Sequence, residues 1–120
     1  AVPGYFAPVV IEGRRYIDGG AHSVVSLDLL AGRDLDLVIV SAPLSTTDWV
    51  AADPGNLPRV AMRNQLRREA RRLGGTRIIT VAPDAAMRAI MGTNSMVVAK
   101  RAPVARAALE YARTVLARQW

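Results

Sequence analysis

The sequence predicts one α/β domain with a partly parallel sheet and a single β-hairpin ahead of it. Two continuous apolar runs alternate with helical patterns, and each of these runs ends in a proline. Two shorter β-rich runs are separated only by a Glu-Gly pair. The chain has 120 residues, of which 51% are apolar and 22% charged, a balance typical of one globular domain and not of a disordered chain.

The hairpin is the first predicted element. Its strands are the β-rich runs at residues 8–11 and 14–17, and Gly13 occupies the second position of the intervening turn. A two-residue hairpin turn needs a positive φ at that position, and glycine adopts one without steric cost. Residues 18–20, Asp-Gly-Gly, then form a second turn directly after the strand.

A short helix and a buried strand are predicted next. The helix covers about residues 26–31, with Ser26 as its N-cap. Residues 35–41 contain Leu-Val-Ile-Val, a continuous apolar run that indicates a strand buried on both faces and ended by Pro43.

The second half repeats the alternation of helix and strand. A helix is predicted over residues 57–73, a second buried strand over 77–81, a shorter helix over 84–91, and a last helix from Pro103 nearly to Trp120. Only about four strands are available, so the chain looks like part of a larger α/β domain. The helix at 57–73 has a predicted apolar stripe of Met62, Leu66, Ala70 and Leu73.

Charge is distributed unevenly along the chain. Residues 1–56 hold three Arg against seven acids, whereas residues 57–120 hold thirteen Lys/Arg against three acids, and the net charge is +6. A basic half suggests contact with phosphates or with an anionic surface. The chain has no Cys and one His, which excludes disulfides, zinc sites of the Cys type and His-clustered metal sites.

Arginines at four-residue spacing mark the helix at 57–73. As a functional feature they predict a basic strip that contacts phosphates, either those of lipid headgroups or those of nucleic acid. The alternative, favoured because no aromatic residues are interleaved with the arginines, is a solvated outer face whose Arg stems cover apolar surface. The four residues are Arg59, Arg63, Arg67 and Arg71.

Four stretches resemble, in order, the region around the catalytic aspartate of patatin-like lipid acyl hydrolases. Residues 1–20 contain an apolar, proline-bearing approach, a Gly turn, a Tyr-Ile strand and Asp-Gly-Gly. Residues 37–43 are a strand ending in proline, and residues 78–84 are a strand running into Pro-Asp. Residues 91–94 are Met-Gly-Thr-Asn, as in that family's Met-Gly-x-Asn.

The resemblance implies a three-layer α/β/α fold and a Ser–Asp dyad in which Asp18 is the base. Gly19 and Gly20 would let the backbone turn tightly behind it, and no metal or cofactor is required. No serine of this chain stands in a G-x-S-x-G frame. The implied reading is therefore that residues 1–120 are the C-terminal portion of the catalytic domain, inactive without an upstream nucleophile segment.

The implied partners are a lipid or ester substrate, the upstream part of the same enzyme and a membrane surface contacted peripherally, in a cytoplasmic or peripheral-membrane location. Trp49, Tyr5 and Phe6 are candidates to line an acyl-chain pocket, although aromatic residues in loops more often anchor packing. His22 beside Ser23 does not establish a triad, because adjacency is not hydrogen-bonded geometry. Two alternatives stay open: an Arg-rich binding module without enzymatic activity, and a degenerate scaffold that keeps the fold alone.

Overall fold

The computed structural model describes residues 2–48, 56–94 and 97–119, and it has the predicted mixed α/β architecture with a parallel sheet and an antiparallel hairpin. The strands are β1 (Val9–Ile11), β2 (Arg14–Tyr16), β3 (Leu37–Ser41) and β4 (Arg77–Val81), and the helices are α1 (Leu57–Ala70), α2 (Ala85–Met91) and α3 (Arg101–Gln119). Short 3₁₀ turns cover Gly19–Ala21, Leu27–Leu30, Arg71–Leu73 and Val98–Lys100.

The hairpin forms as its turn residues predict. Strands β1 and β2 pair antiparallel, with Val9 opposite Tyr16. Glu12 and Gly13 both have positive φ, 49° and 75°, which is the backbone signature of a type I′ turn. Every residue from 2 to 22 is exposed, and at the end of this segment His22 contacts the remaining described residues through Asp28 and through Gln65, whose Nε2 donates to the His22 carbonyl at 2.7 Å.

The parallel pair β3–β4 is the centre of the body, the part of the chain at residues 23–119 that follows the hairpin segment. Its register runs from Leu37 beside Arg77 to Ser41 beside Val81. Because side chains alternate along a strand, Val38 and Val40 share one face, where they pack with Leu66 of α1 in the main core. The opposite face carries α3, which contacts β4.

The prediction that β3 is buried on both faces is wrong. Ile39 is 55% exposed, whereas Ile79, beside it on the same face, is 1% exposed. Helix α3 contacts β4, the strand that carries Ile79, and this accounts for the greater burial of that side of the sheet. The edge of β3 away from β4 is unpaired within the described residues.

Helix α1 buries a face that differs from the predicted apolar stripe. Leu66 and Leu73 are buried as predicted, whereas Met62 and Ala70 are only half-buried. The fully buried positions of the α-helix itself also include two charged residues. These positions are Val60, Arg63, Leu66 and Glu69.

The predicted helix at 26–31 is the 3₁₀ turn Leu27–Leu30, and Ser26 does not cap it. Ser26 has a left-handed φ of 54° and makes no side-chain capping bond. Ser23 Oγ accepts from the backbone N–H of Ser26 at 2.8 Å, which closes the turn that leads into this 3₁₀ segment. Glu69 Oε2 accepts from the N–H of Leu27 at 2.9 Å, so a buried carboxylate of α1 satisfies the start of this turn.

The last two helices start close to their predicted positions. Asp84 is the N-cap of α2, and its Oδ1 accepts from the N–H of Met87 at 2.8 Å. Helix α3 begins at Arg101, two residues before the predicted start at Pro103. A proline in the first turn is tolerated because its missing N–H would have no partner within the helix.

Candidate functional site

Asp18 lies two residues beyond the end of β2 and begins the turn that connects the hairpin to the body. Its backbone is extended, with φ −62° and ψ 129°, and it precedes the 3₁₀ turn Gly19–Ala21. Its Oδ1 accepts a hydrogen bond from the N–H of Gly20 at 2.7 Å. This local bond fixes the orientation of the carboxylate. The other carboxylate oxygen, Oδ2, has no hydrogen bond within the described residues.

The two glycines of the turn differ in what they contribute. A Cβ added at Gly20 would come within 3.0 Å of Asp18 Oδ1, tighter than ordinary carbon contacts. A side chain there would therefore press against the oxygen that the turn holds. A Cβ added at Gly19 would meet nothing within 4 Å. The Asp18 carboxylate can therefore approach the backbone of Gly20 closely because this residue has no side chain.

Asp18 is exposed, as are all of its sequence neighbours from residue 2 to residue 22. Many of these neighbours are large and apolar, and the described residues leave the carboxylate without a buried environment. A proton-transfer site works best where water is excluded. The exposed apolar residues on the hairpin side are Val2, Tyr5, Phe6, Val9, Val10, Ile11, Tyr16 and Ile17.

His22 belongs to an exposed charge cluster and not to a triad. Its Nε2 lies 3.2 Å from Asp28 Oδ2, and the His22 side chain is 67% exposed. Arg72 approaches the same Asp28 oxygen at 3.5 Å. The hydroxyl oxygen of Ser23 instead accepts from the backbone N–H groups of Val25 and Ser26. His22 is therefore a surface residue, and the partner of its ring is Asp28 and not Ser23.

The four arginines of the predicted basic strip do not share one exposed face. Arg63 is only 9% exposed, and Arg59 is half-buried. Arg67 and Arg71 are exposed. The strip is split because the segment at residues 43–48 packs along α1 and binds the first two arginines. Only the last two are placed to meet a flat anionic surface.

Three arginines hold the segment at residues 43–48, which follows β3. Arg59 Nη1 donates to the carbonyl oxygens of Pro43, at 2.8 Å, and Ser45, at 3.1 Å. Arg63 Nη1 donates to the carbonyl of Thr47 at 3.4 Å. From α2, Arg88 donates to Thr46 Oγ1 and pairs with Asp48 at 3.1 Å. Carbonyl oxygens, one hydroxyl oxygen and one carboxylate thus accept from the guanidinium donors.

The electrostatic environment of this segment is positive. Burial lowers the pKa of Arg59 from its ordinary value, and the positive charge of Arg88 lowers it further. Two guanidiniums on different helices therefore lie close enough to repel each other. A site of this charge favours anions.

Two of the buried charged residues were not identified from the sequence. The basic strip predicted an exposed Arg63, and the burial of Glu69 was not predicted. Their signal was present but weak: both fall at three-residue steps with Val60 and Leu66, on one face of the helix. A charged residue on an apolar face indicates a buried partner, here the Leu27 N–H for Glu69.

No metal site or membrane span is found in the part of the chain that the structure describes. Its residues contain no group of three or more His, Cys, Asp or Glu side chains that could hold an ion. Each of its helices is too short or too polar to cross a lipid bilayer. A comparison with protein-family models, curated proteins and solved structures finds no match for this chain.

Proposed function

We propose that this chain is the C-terminal, base-bearing portion of a patatin-like serine hydrolase with a three-layer α/β/α fold, which cleaves carboxylic ester bonds of lipids or phospholipids. One observation carries the proposal. The Asp18 carboxylate is held by a local turn, with one oxygen bound to the Gly20 N–H, directly after an exposed apolar hairpin. The order of motifs around it supports the same assignment.

The carboxylate geometry suits a proton acceptor. Oδ1 is fixed by the backbone, and the lone pairs of Oδ2 can accept a proton from a serine hydroxyl. A fixed base loses less entropy on reaching its reactive geometry than a mobile one. Asp18 therefore offers an oriented acceptor but no nucleophile. The nucleophile would come from a G-x-S-x-G segment in the upstream part of the same enzyme.

Exposed apolar surface near Asp18 in the sequence supports the proposal that a further segment of the enzyme or a lipid covers this region. Ile11 and Ile17 are each 54% exposed, and Tyr5 and Phe6 are exposed further. Ile39 and the unpaired edge of β3 add apolar and hydrogen-bonding surface on the body. Surface of this kind is suited to pairing with additional strands of an α/β sheet. Trp49, the other proposed acyl-pocket residue, lies outside the described residues.

The proposed reaction has two steps. The serine oxygen attacks the ester carbonyl while Asp18 accepts its proton, and the protonated Asp18 then returns that proton to the departing alcohol. In the second step Asp18 takes a proton from water, whose oxygen attacks the acyl-enzyme carbonyl. Collapse of this intermediate releases the fatty acid and restores the serine hydroxyl. Every proton is accounted for by these two groups and water, so no cofactor takes part.

The exposed arginines support peripheral contact with an anionic membrane. Arg67 and Arg71 together would contribute roughly 2 kcal/mol at about 1 kcal/mol for each basic residue near such a surface. A dedicated nucleic-acid module is less well supported, because Arg59 and Arg63 bind carbonyl oxygens of the chain itself.

Replacement of Asp18 by Asn in the enzyme that includes the upstream segment tests the proposal. Asn retains an oxygen that can accept from Gly20 N–H, so the turn is preserved, but it cannot act as a general base. We expect hydrolysis of a short-chain nitrophenyl ester to fall about 10²–10⁴-fold in kcat. Fluorophosphonate labelling should mark one serine in the enzyme and none in the isolated 120-residue chain.

Asp34→Asn is the matched control, because Asp34 is also an exposed acid in a loop. It should leave turnover unchanged. Near-normal turnover in Asp18→Asn, with circular dichroism unchanged, would show that Asp18 is not the base. If fluorophosphonate labelled no serine in the enzyme, the result would favour the degenerate scaffold.

A further inference from the structure

A small cavity lies between α1 and the segment that follows β3, and Asp18 is not among the residues that line it. Its volume is about 230 Å³. At about 30 Å³ for each water molecule, this space equals roughly seven or eight waters. It is smaller than the ~300 Å³ at which pockets for drug-sized ligands begin. The polar residues that line it are Ser45, Thr46, Thr47, Thr80, Arg63 and Arg67.

The polar part of the lining suits an anion, and Leu66, Ala70 and Ala82 form the rest of the wall. The lining brings two guanidiniums and four hydroxyl groups to one cavity, and the described residues that line it include no acid. The nearest carboxylate in the segment, Asp48, is paired with Arg88 at 3.1 Å. Arg63 is buried, so its charge acts in a region partly shielded from water. Guanidiniums and hydroxyls are the groups that bind the several oxygens of a phosphate.

Ser45 supplies an independent indication of a ligand. It is 4% exposed, and its Oγ is buried without a hydrogen-bond partner among the described residues. A buried hydroxyl without a partner is costly to the fold, so such a group calls for an explanation. Ser45 is one of the residues that line the cavity, and an anion bound there would offer its hydroxyl an acceptor.

Thr46 provides a second hydroxyl, whose oxygen already accepts two hydrogen bonds and whose hydrogen is left to donate. It is 1% exposed, and its Oγ1 accepts from Arg88 Nη1 and from the N–H of Asp48. With the oxygen already accepting twice, the hydroxyl hydrogen remains as the donor. Thr47, in contrast, already donates its hydroxyl to Asp48 Oδ1.

We propose that this cavity is a binding site for a phosphoryl group, held by Arg63 and Arg67 and by the hydroxyls of Ser45 and Thr46. The phosphoryl group belongs either to a soluble phosphate monoester or to a phospholipid headgroup presented at a membrane. The site stands on geometry separate from Asp18. It therefore holds or fails independently of the hydrolase proposal.

Inorganic phosphate is the first probe. The 120-residue chain is titrated with it at constant ionic strength, and binding is followed by thermal shift and isothermal calorimetry. We expect saturable binding and a raised Tm, with acetate at least tenfold weaker. Stabilisation by phosphate equal to that by sodium chloride or acetate at matched ionic strength would overturn the proposal.

Two variants separate the cavity from general electrostatic attraction. Arg67→Gln removes a lining charge, and Arg71→Gln removes an exposed charge one turn further along that does not line the cavity. We expect phosphate affinity to fall at least tenfold in Arg67→Gln and less than twofold in Arg71→Gln. Equal losses in the two variants would show binding to the basic surface alone.

Ser45→Ala gives a readout that a structural role would not produce. Its hydroxyl has no partner among the described residues, so its removal should leave the protein as stable as before or more so. Phosphate affinity should nevertheless fall at least fivefold. Loss of stability with unchanged affinity would contradict the assignment.

The source of the phosphoryl group is resolved by two further probes. Glycerol 3-phosphate is titrated in solution, and vesicles of phosphatidylcholine with or without phosphatidic acid are sedimented with the protein. Arg67-dependent binding to glycerol 3-phosphate alone identifies a soluble monoester. Cosedimentation that needs phosphatidic acid and both Arg67 and Ser45 identifies the headgroup. Binding to neither, while inorganic phosphate also fails, rejects the site.

Discussion

The hairpin segment at residues 2–22 and the body at residues 23–119 differ in how far their side chains are buried, although both are rich in apolar residues. In the hairpin every residue is exposed, including Ile11 and Ile17. In the described part of the body, β3, β4 and α1 enclose a core that contains Val40 and Leu66. The hairpin is held by its turn and by one pair of strands, whereas the body is held by packing between distant segments.

The difference shows that local turn chemistry and tertiary burial are separable in this chain. An isolated two-stranded hairpin is only marginally stable in water. The hairpin therefore derives little stability from this chain and has apolar surface left for another partner. Pairs of matched substitutions, one in each region, test this contrast directly.

The largest expected difference concerns isoleucine. Ile79 is 1% exposed in β4, whereas Ile11 is 54% exposed in β1. Ile79→Ala should lower the free energy of unfolding by about 2–5 kcal/mol, because it removes buried methyl groups and leaves a cavity. Ile11→Ala should change it by less than about 0.5 kcal/mol. Urea unfolding followed by circular dichroism measures both.

Ile79→Val provides a milder variant if the alanine protein does not fold, with an expected loss of about 0.5–1.5 kcal/mol. Equal losses from Ile79→Val and Ile11→Val would mean that the hairpin packs against the body in solution.

Buried and exposed glutamates give the second comparison. Glu69 is 5% exposed and accepts from the N–H of Leu27, 42 positions away in sequence, whereas Glu12 lies in the exposed hairpin turn. Glu69→Ala leaves that N–H without its acceptor and should cost about 1–3 kcal/mol. Glu12→Ala should cost less than about 0.5 kcal/mol.

Hydrogen exchange of the Leu27 amide checks the cause. Its protection should fall in Glu69→Ala and stay constant in Glu12→Ala. Unchanged protection in both variants would assign the cost of Glu69→Ala to packing and not to the lost acceptor.

These pairs also show which features the sequence could predict. The type I′ turn, the strand at 77–81 and the start of α2 depend on nearby residues, namely Gly13, the run ended by Pro83 and the capping Asp84, and each was predicted closely. Local sequence signals are enough for such features.

Features that depend on distant segments were predicted less well. Burial of Glu69 requires Leu27, and burial of Arg63 requires the segment at 43–48, neither of which is adjacent in sequence. The exposed face of β3 depends on where α3 lies, since α3 contacts β4, which carries the buried Ile79, and Ile39 on β3 stays exposed. The turn at Asp18 was predicted from local residues, and the described part of the chain leaves its carboxylate exposed.

Tyrosine gives the smallest expected effect and a dependence on pH. Tyr111 OH donates to the carbonyl of Ala82 at 2.9 Å, whereas Tyr16 is 47% exposed in the hairpin. Tyr111→Phe removes this bond and should cost about 1 kcal/mol near neutral pH. Tyr16→Phe should cost nothing measurable, and thermal unfolding of the three proteins provides the comparison.

Burial raises the pKa of Tyr111 above its ordinary value of 10.0, and the negative charge of Asp84 raises it further. The folded state therefore favours the neutral phenol, and this contribution to stability is complete below pH 10. It is lost as pH rises through the higher folded-state pKa, because the unfolded chain releases the proton first. The stability advantage of the wild type over Tyr111→Phe should consequently shrink above pH 10. A difference that stays constant between pH 8 and 11 would place the phenol in solvent, and the contrast between the tyrosines of the body and of the hairpin would then disappear.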